Sequence, residues 1–267
     1  MSTAPLTAPA LLRRLVEADP GRPRITVYDD TDGPTRGERI ELSARVLANW
    51  VAKAANLLRD DLDVGTGSVV RLDLPPHWRT AYWALAAWSV GACVEVPAHR
   101  TSDAGDGDTS PRPVAGPADV VVTDAVDVAA AADEAVLVTL AALARSSVVP
   151  VPSGVVDEAR ELATHGDLFD PDDEPDPDAP ALRAGAPGSP RSGATAFRDL
   201  VSLPTSGRDH SVDAGARVHT STADTAAFLR LALAAWAADG SLVLTRGRPA
   251  SDVLEARLSA EGVTTTR

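Results

Sequence analysis

Lysine and cysteine are almost missing from this chain: Lys53 and Cys93 are the single examples of each. One cysteine excludes an internal disulfide framework. Cys93 sits in the apolar run Gly91-Ala92-Cys93-Val94-Glu95-Val96, where no base or basic cluster would lower its thiol pKa. It therefore reads as a small buried hydrophobe and not as a nucleophile. One lysine means that any step needing an ammonium group has one candidate. Positive charge is scarce overall, since 25 Lys and Arg face 38 Asp and Glu, for a formal net charge of −13. That balance excludes the basic footprint that nucleic acid or anionic lipid requires. No apolar run approaches membrane-spanning length, and residues 1–10 lack the basic-then-apolar pattern of a secretion signal. No membrane partner and a cytoplasmic location are the expectation.

What is present suffices for a substantial core: 267 residues, 44% of them apolar. The pattern alternates short strands with amphipathic helices. A helix over 11–18 is closed by Asp19-Pro20-Gly21, and strands near 24–29 and 38–42 flank the turn Asp32-Gly33-Pro34 as a hairpin. Ser43 caps a helix running to about residue 61, with Leu47, Trp50, Val51, Ala54, Leu57 and Leu58 on one face. Lys53 falls on the opposite, solvated stripe and reads as a surface charge. The strand 68–74, the helix 78–90 and the strand 92–96 form a βαβ crossover, so the sheet is at least partly parallel. That helix is apolar nearly all round, which places Trp83 and Trp88 in a core and not on a stacking platform. The α/β rhythm continues at 119–140, with a further helix over 155–164.

Four segments follow from this pass. A first α/β lobe covers 11–152. Residues 153–182 hold a helix and an acidic, proline-rich linker, whose dense like charge over 167–180 predicts a disordered or extended chain. A glycine stretch covers 183–193. A second lobe covers 195–267, where Ser221 and Asp224 resemble a capping box that opens a helix over 222–238.

Three kinds of site chemistry can be weighed. Asp103, Asp106 and Asp108 lack the alternating ligands and closing Glu of a calcium loop, and the flexible acids of 167–180 are not held in coordination geometry, so no metal site is expected. A hydrolase would draw on His77, His99, His165, His210 or His219, but the chain has no G-x-S-x-G elbow. The third candidate is the glycine stretch, Arg183-Ala184-Gly185-Ala186-Pro187-Gly188-Ser189-Pro190-Arg191-Ser192-Gly193. Its glycines, serines and basic residue have the makings of a phosphate cradle, formed by backbone N–H groups around an anion.

Several blocks together resemble the adenylate-forming (AMP-binding) enzymes: acyl-CoA synthetases, peptide-synthetase adenylation domains and luciferases. Leu62-Asp63-Val64-Gly65-Thr66-Gly67-Ser68-Val69-Val70-Arg71-Leu72 after a long helix is similar to their GV-x-x-GD-x-V-x-L block, and Gly91-Ala92 before a strand to the block that follows. Residues 217–267 resemble the later strand–helix–strand block. As a whole the chain is similar to a short actinobacterial family with distant likeness to those enzymes. The resemblance implies the N-terminal region of the adenylate-forming fold, with two βαβ lobes and partly parallel sheets.

The family's loop, T-S-G-T-T-G-x-P-K-G, lies ungapped on 183–192: Gly185, Gly188 and Pro190 match, and Arg191 takes the lysine position. Arg183, Ala184, Ala186 and Pro187 replace the hydroxyl residues, and Phe197 replaces the histidine of a following H-x-N-L stretch. The later elements that hold adenine, ribose and the lid lysine are not in this sequence. The resemblance thus implies a degenerate loop at Gly185, Gly188, Ser189, Arg191 and Ser192, with no catalytic residue and no resident cofactor. The expected role is binding of a ligand or protein, with a partner or a second copy covering an unfinished second sheet. The alternative is an ATP- or AMP-binding protein, or a minimal acid-activating ligase completed by another subunit, in which Gly185, Gly188 and Arg191 still hold phosphate with Mg.

Overall fold

A computed structural model describes residues 6–97, 117–185, 193–201 and 212–267. Helix α1 (Ala8–Ala18) starts one turn earlier than its apolar pattern suggests, because the Thr7 hydroxyl accepts the Ala10 amide at 3.3 Å and caps it. The hairpin β1 (Pro23–Asp30) and β2 (Arg39–Ser43) follows. Ser43 caps α2 (Ala44–Asn56) as expected, and the helix ends in a π turn at Leu57–Asp61. Then come β3 (Val69–Asp73), α3 (Trp78–Ser89), β4 (Cys93–Val96), β5 (Val120–Thr123), α4 (Val126–Ala131) and β6 (Ala135–Leu137). The helix expected over 155–164 is broken into β7 (Val156–Asp157), α5 (Glu158–Glu161) and a 3₁₀ turn. The chain continues through β8 (Pro180–Ala184), β9 (Gly193–Ala196), α6 (Phe197–Leu200), β10 (Arg217–Thr220), α7 (Thr225–Ala237), β11 (Ser241–Gly247), α8 (Ser251–Ala260) and β12 (Thr265–Thr266). Asp224 caps α7 directly, through the Ala227 amide at 2.9 Å.

These strands form two sheets, β7-β6-β5-β3-β4-β8-β9 and β12-β10-β11-β1-β2, in which only β9 and β2 run antiparallel to their neighbours. The sheets cut across the sequence lobes. β1 and β2 come from the first part of the chain, yet β1 pairs with β11, more than 200 positions away. The pairing follows from the faces: Ile25 lies against Leu242 and Val27 against Leu244, which makes one unbroken apolar surface. In the same way β8 and β9, from the linker and the start of the second part, extend the seven-stranded sheet.

Every residue of α3 is buried, because the helix touches α1, α2, α7 and strands of both sheets. Its all-round apolar sequence required such a position. The tryptophans pack the core as expected, and two of them also tie chain segments together. Trp88 Nε1 donates to the Ala181 carbonyl at 2.8 Å, and Trp236 Nε1 to the Arg24 carbonyl at 2.9 Å.

By contrast α8 buries no residue at all. Polar contacts to the outer face of the five-stranded sheet hold it and the turn after it. Arg257 grips Asp30, and Glu261 accepts from Tyr28 Oη at 2.6 Å, from Arg39 at 2.8 and 2.9 Å, and from Arg217. Burial raises the Glu261 pKa, but the donors outweigh it and bring the group down to about 2. Since this lies below the ordinary value of 4.5, the contact stabilises fully above that pH and is lost as pH falls towards 2. Thermal unfolding measured between those pH values should therefore show a falling Tm, with a shallower fall in Glu261→Gln.

Candidate functional site

In open parallel sheets ligands bind beyond the carboxyl ends of the strands, where the strand order reverses direction. Here the order reverses at β3, with β4 on one side and β5 on the other. At that edge Thr123 Oγ1 donates to Asp73 Oδ2 at 3.2 Å and accepts the Ala125 amide at 3.1 Å. Two strands along, at the same edge, β8 ends and the glycine stretch begins.

The stretch starts later than its sequence suggests. Arg183 and Ala184 belong to β8, paired with Glu95 and Val96 on one side and with Ala194 and Gly193 on the other. Ladder bonds on both sides hold them in the sheet. Ala184 lies opposite Gly193, so β8 and β9 meet as an antiparallel pair at the carboxyl edge. Gly185, directly after β8, takes a left-handed φ of +89°. Its amide donates to the Val96 carbonyl at 3.2 Å, so the first N–H of the stretch completes the sheet. Gly188, Ser189, Arg191 and Ser192 lie outside the described residues.

Other titratable groups have structural partners. His77 is buried at the start of α3, where its Nδ1 accepts the Arg79 amide. Burial, with Arg246 and Arg79 nearby, holds its pKa well below the ordinary value. Burial likewise lowers His219, whose Nε2 meets Thr245 Oγ1 at 3.1 Å. His165 approaches Asp61 at 3.2 Å, while His99 and His210 lie outside the described residues. Burial pushes the Cys93 thiol pKa up, consistent with an inert core cysteine. Among the described residues no three His, Cys, Asp or Glu side chains are grouped to hold a metal ion, and no helix is long and apolar enough to cross a membrane.

Two polar clusters escape a reading of the sequence. Arg79 on α3 and Glu158 on α5, 2% and 0% exposed, pair at 2.7 Å in the interior. Tyr82 Oη also reaches Glu158, and Arg79 Nη2 donates to the Ala141 carbonyl at 2.9 Å. The second cluster is on α2. Lys53 is not a free surface charge: its Nζ donates to the His165 carbonyl at 2.6 Å and pairs with Asp167 at 2.8 Å. Together with Asn56 and Arg59 it docks the acidic linker on the body of the protein. Neither pairing leaves a local sequence signal, because the partners are roughly 80 to 110 positions apart.

Clefts are also found among the described residues. One of about 410 Å³ lies beside β7, lined by Asp61, Val151, Pro152, Val155, Arg160 and Glu161 among others. The other, about 260 Å³, lies between the linker and the turn before β3. Gly185 borders neither.

No family model matches the chain. A Mycobacterium tuberculosis (strain ATCC 25618 / H37Rv) protein described as a TIGR03089 family protein is 39% identical over 184 residues, covering 66% of this chain and 68% of that protein. Among solved structures, a Brucella canis acyl-CoA synthetase superposes with a TM-score of 0.69 at 15% identity, over 98% of this chain and 47% of its own. A fatty acyl CoA synthetase from M. tuberculosis gives 0.62 at 13% identity, over 97% and 48%. The Klebsiella oxytoca NpsA N-terminal subdomain gives 0.58 at 18% identity, over 99% and 61%. The chain thus spans about half the length of the acyl-CoA synthetases it matches. Its fold is that of the N-terminal part of adenylate-forming enzymes.

Proposed function

The chain belongs to the TIGR03089 family, and we propose that it is a non-catalytic relative of the adenylate-forming enzymes, acting by binding a ligand or a protein. The observation that carries this reading is the Gly185 amide. A phosphate cradle needs consecutive free N–H groups aimed at one anion. Here the first is bonded to the Val96 carbonyl, and two positions on, Pro187 has none to offer. Hydroxyl groups that could compensate are replaced by Arg183, Ala184 and Ala186, and the first two of these are strand residues. Lys53 is committed to His165 and Asp167 and is not available as a phosphate ligand.

The test is ATP–pyrophosphate exchange with Mg²⁺ and a panel of aliphatic and aromatic carboxylates, run beside calorimetric titration with ATP. Neither exchange nor binding heat is expected. Exchange above background with any of the acids would overturn the non-catalytic reading. Heat without exchange, lost in Arg191→Ala, would instead support a nucleotide-binding protein that retains phosphate through Arg191.

A further inference from the structure

The segment between α5 and β8 travels far. β7 is one edge of the seven-stranded sheet, and β8 lies beyond β6, β5, β3 and β4. Its acids and prolines over 167–180 give it no core of its own. Donors on α2 and its π turn hold it by its carbonyls: Lys53 takes that of His165, Asn56 Nδ2 those of Gly166 and Leu168 at 3.1 and 3.0 Å, and Arg59 that of Asp170 at 3.2 Å. Arg59 also donates to Asn56 Oδ1 at 3.1 Å, which leaves the Asn56 Nδ2 facing the segment. Within 165–173 Phe169 packs against the main core, and the Arg59 guanidinium lies over its ring at 4.8 Å. Leu168 beside it is 89% exposed.

Beneath the segment is the cleft of about 260 Å³. Its floor is Val64, Gly65, Thr66, Ser89 and Val90, and its roof is Phe169, Asp172 and Asp173 with Arg59 at the side. The floor is rigid. Gly91 allows a backbone approach so close that an added Cβ would lie 2.6 Å from Thr66 Oγ1. The roof is attached by two ion pairs whose acids are exposed, Lys53–Asp167 and Arg59–Asp172, which salt screens, and by part-buried hydrogen bonds from Asn56.

We infer that residues 165–173 are a releasable strap that closes this cleft, with the Lys53, Asn56 and Arg59 side chains as its latch. Opening exposes Ser89, which is now buried, without unfolding either sheet, since β8 is held independently by β4 and β9. The π turn that carries Arg59 is a helix irregularity of the kind that often marks a functional position.

The experiment introduces Ser89→Cys into a Cys93→Ala background and follows labelling by N-ethylmaleimide over a range of urea concentrations, with global unfolding measured in parallel. Arg59→Ala and Phe169→Ala, each added separately, should raise the labelling rate several-fold, the scale expected for losing one or two weak contacts, while the rate depends on urea far less steeply than global unfolding, because opening exposes little surface. Raising NaCl to about 0.5 M should speed labelling of the parent protein too, because the latch is partly ionic. An unchanged rate in either variant overturns the strap, as does a labelling rate whose urea dependence equals that of global unfolding, or a parent rate indifferent to salt.

Discussion

Glu158→Ala is expected to lower the unfolding free energy by about 3–5 kcal/mol, as removal of one partner from a buried ion pair does. Arg79 remains 2% exposed with its charge intact and loses the acceptor at 2.7 Å. The same substitution removes the polar link between α5 and α3 that runs through Arg79 and Tyr82. Urea unfolding at neutral pH measures the loss, and a variant less than about 1 kcal/mol below the parent would show that water or another group rescues Arg79. Replacing both partners with apolar residues, Arg79→Met with Glu158→Leu, should recover much of the loss, because the pair's cost is desolvation and not missing contacts. The pH dependence has a definite sign. Burial lifts the Glu158 carboxyl to about 7 against the pull of Arg79, so between 4.5 and 7 the folded state holds a proton that the unfolded chain releases. This group's contribution to stability therefore falls as pH rises through that window, and Glu158→Gln should flatten the slope.

Gly247→Ala should be about as damaging. Gly247 ends β11 opposite Asp30 of β1 with φ +80°, and a Cβ there would lie 2.5 Å from the Asp30 carbonyl carbon and 2.8 Å from the Thr31 nitrogen. These are backbone atoms of the neighbouring strand, and they cannot turn aside as a side chain can. Left-handed strain of about 1–2 kcal/mol adds to overpacking of about 1–3 kcal/mol. Gly262→Ala supplies the control: its φ is +62° but nothing lies within 4 Å of its added Cβ. It should lose only the strain. Equal losses at the two positions, measured by thermal unfolding, would show that the close approach at Gly247 relaxes freely.

What the sequence made legible was local periodicity. The stripe on α2, the all-apolar α3 and the βαβ spacing around it predict those elements because helical and strand periods are written within a dozen residues. Sheet membership was not legible. β1 could pair with any strand presenting Ile25 and Val27 to an apolar face, and its partner lies at the far end of the chain. The acidic segment shows a related limit. Composition indicates a chain without its own core, but the three donors that dock it sit on a helix whose pattern marks them only as outward-facing. Nor did the glycine stretch show that Arg183 and Ala184 belong to a strand. That its first amide would complete the sheet depends on Val96, about 90 positions earlier.

The pairing of β1 with β11 also sets an order of events during synthesis. The β1–β2 hairpin leaves the ribosome with the inner edge of β1 unpaired, and its partner at 241–247 is made some 200 residues later. At typical translation speeds of about 5–20 residues per second, that edge waits on the order of 10–40 s. A strand edge backed by Ile25 and Val27 invites mispairing throughout that interval. The last quarter of the chain therefore does more than add strands: until it arrives, the first hairpin is a client for whatever shields nascent chains.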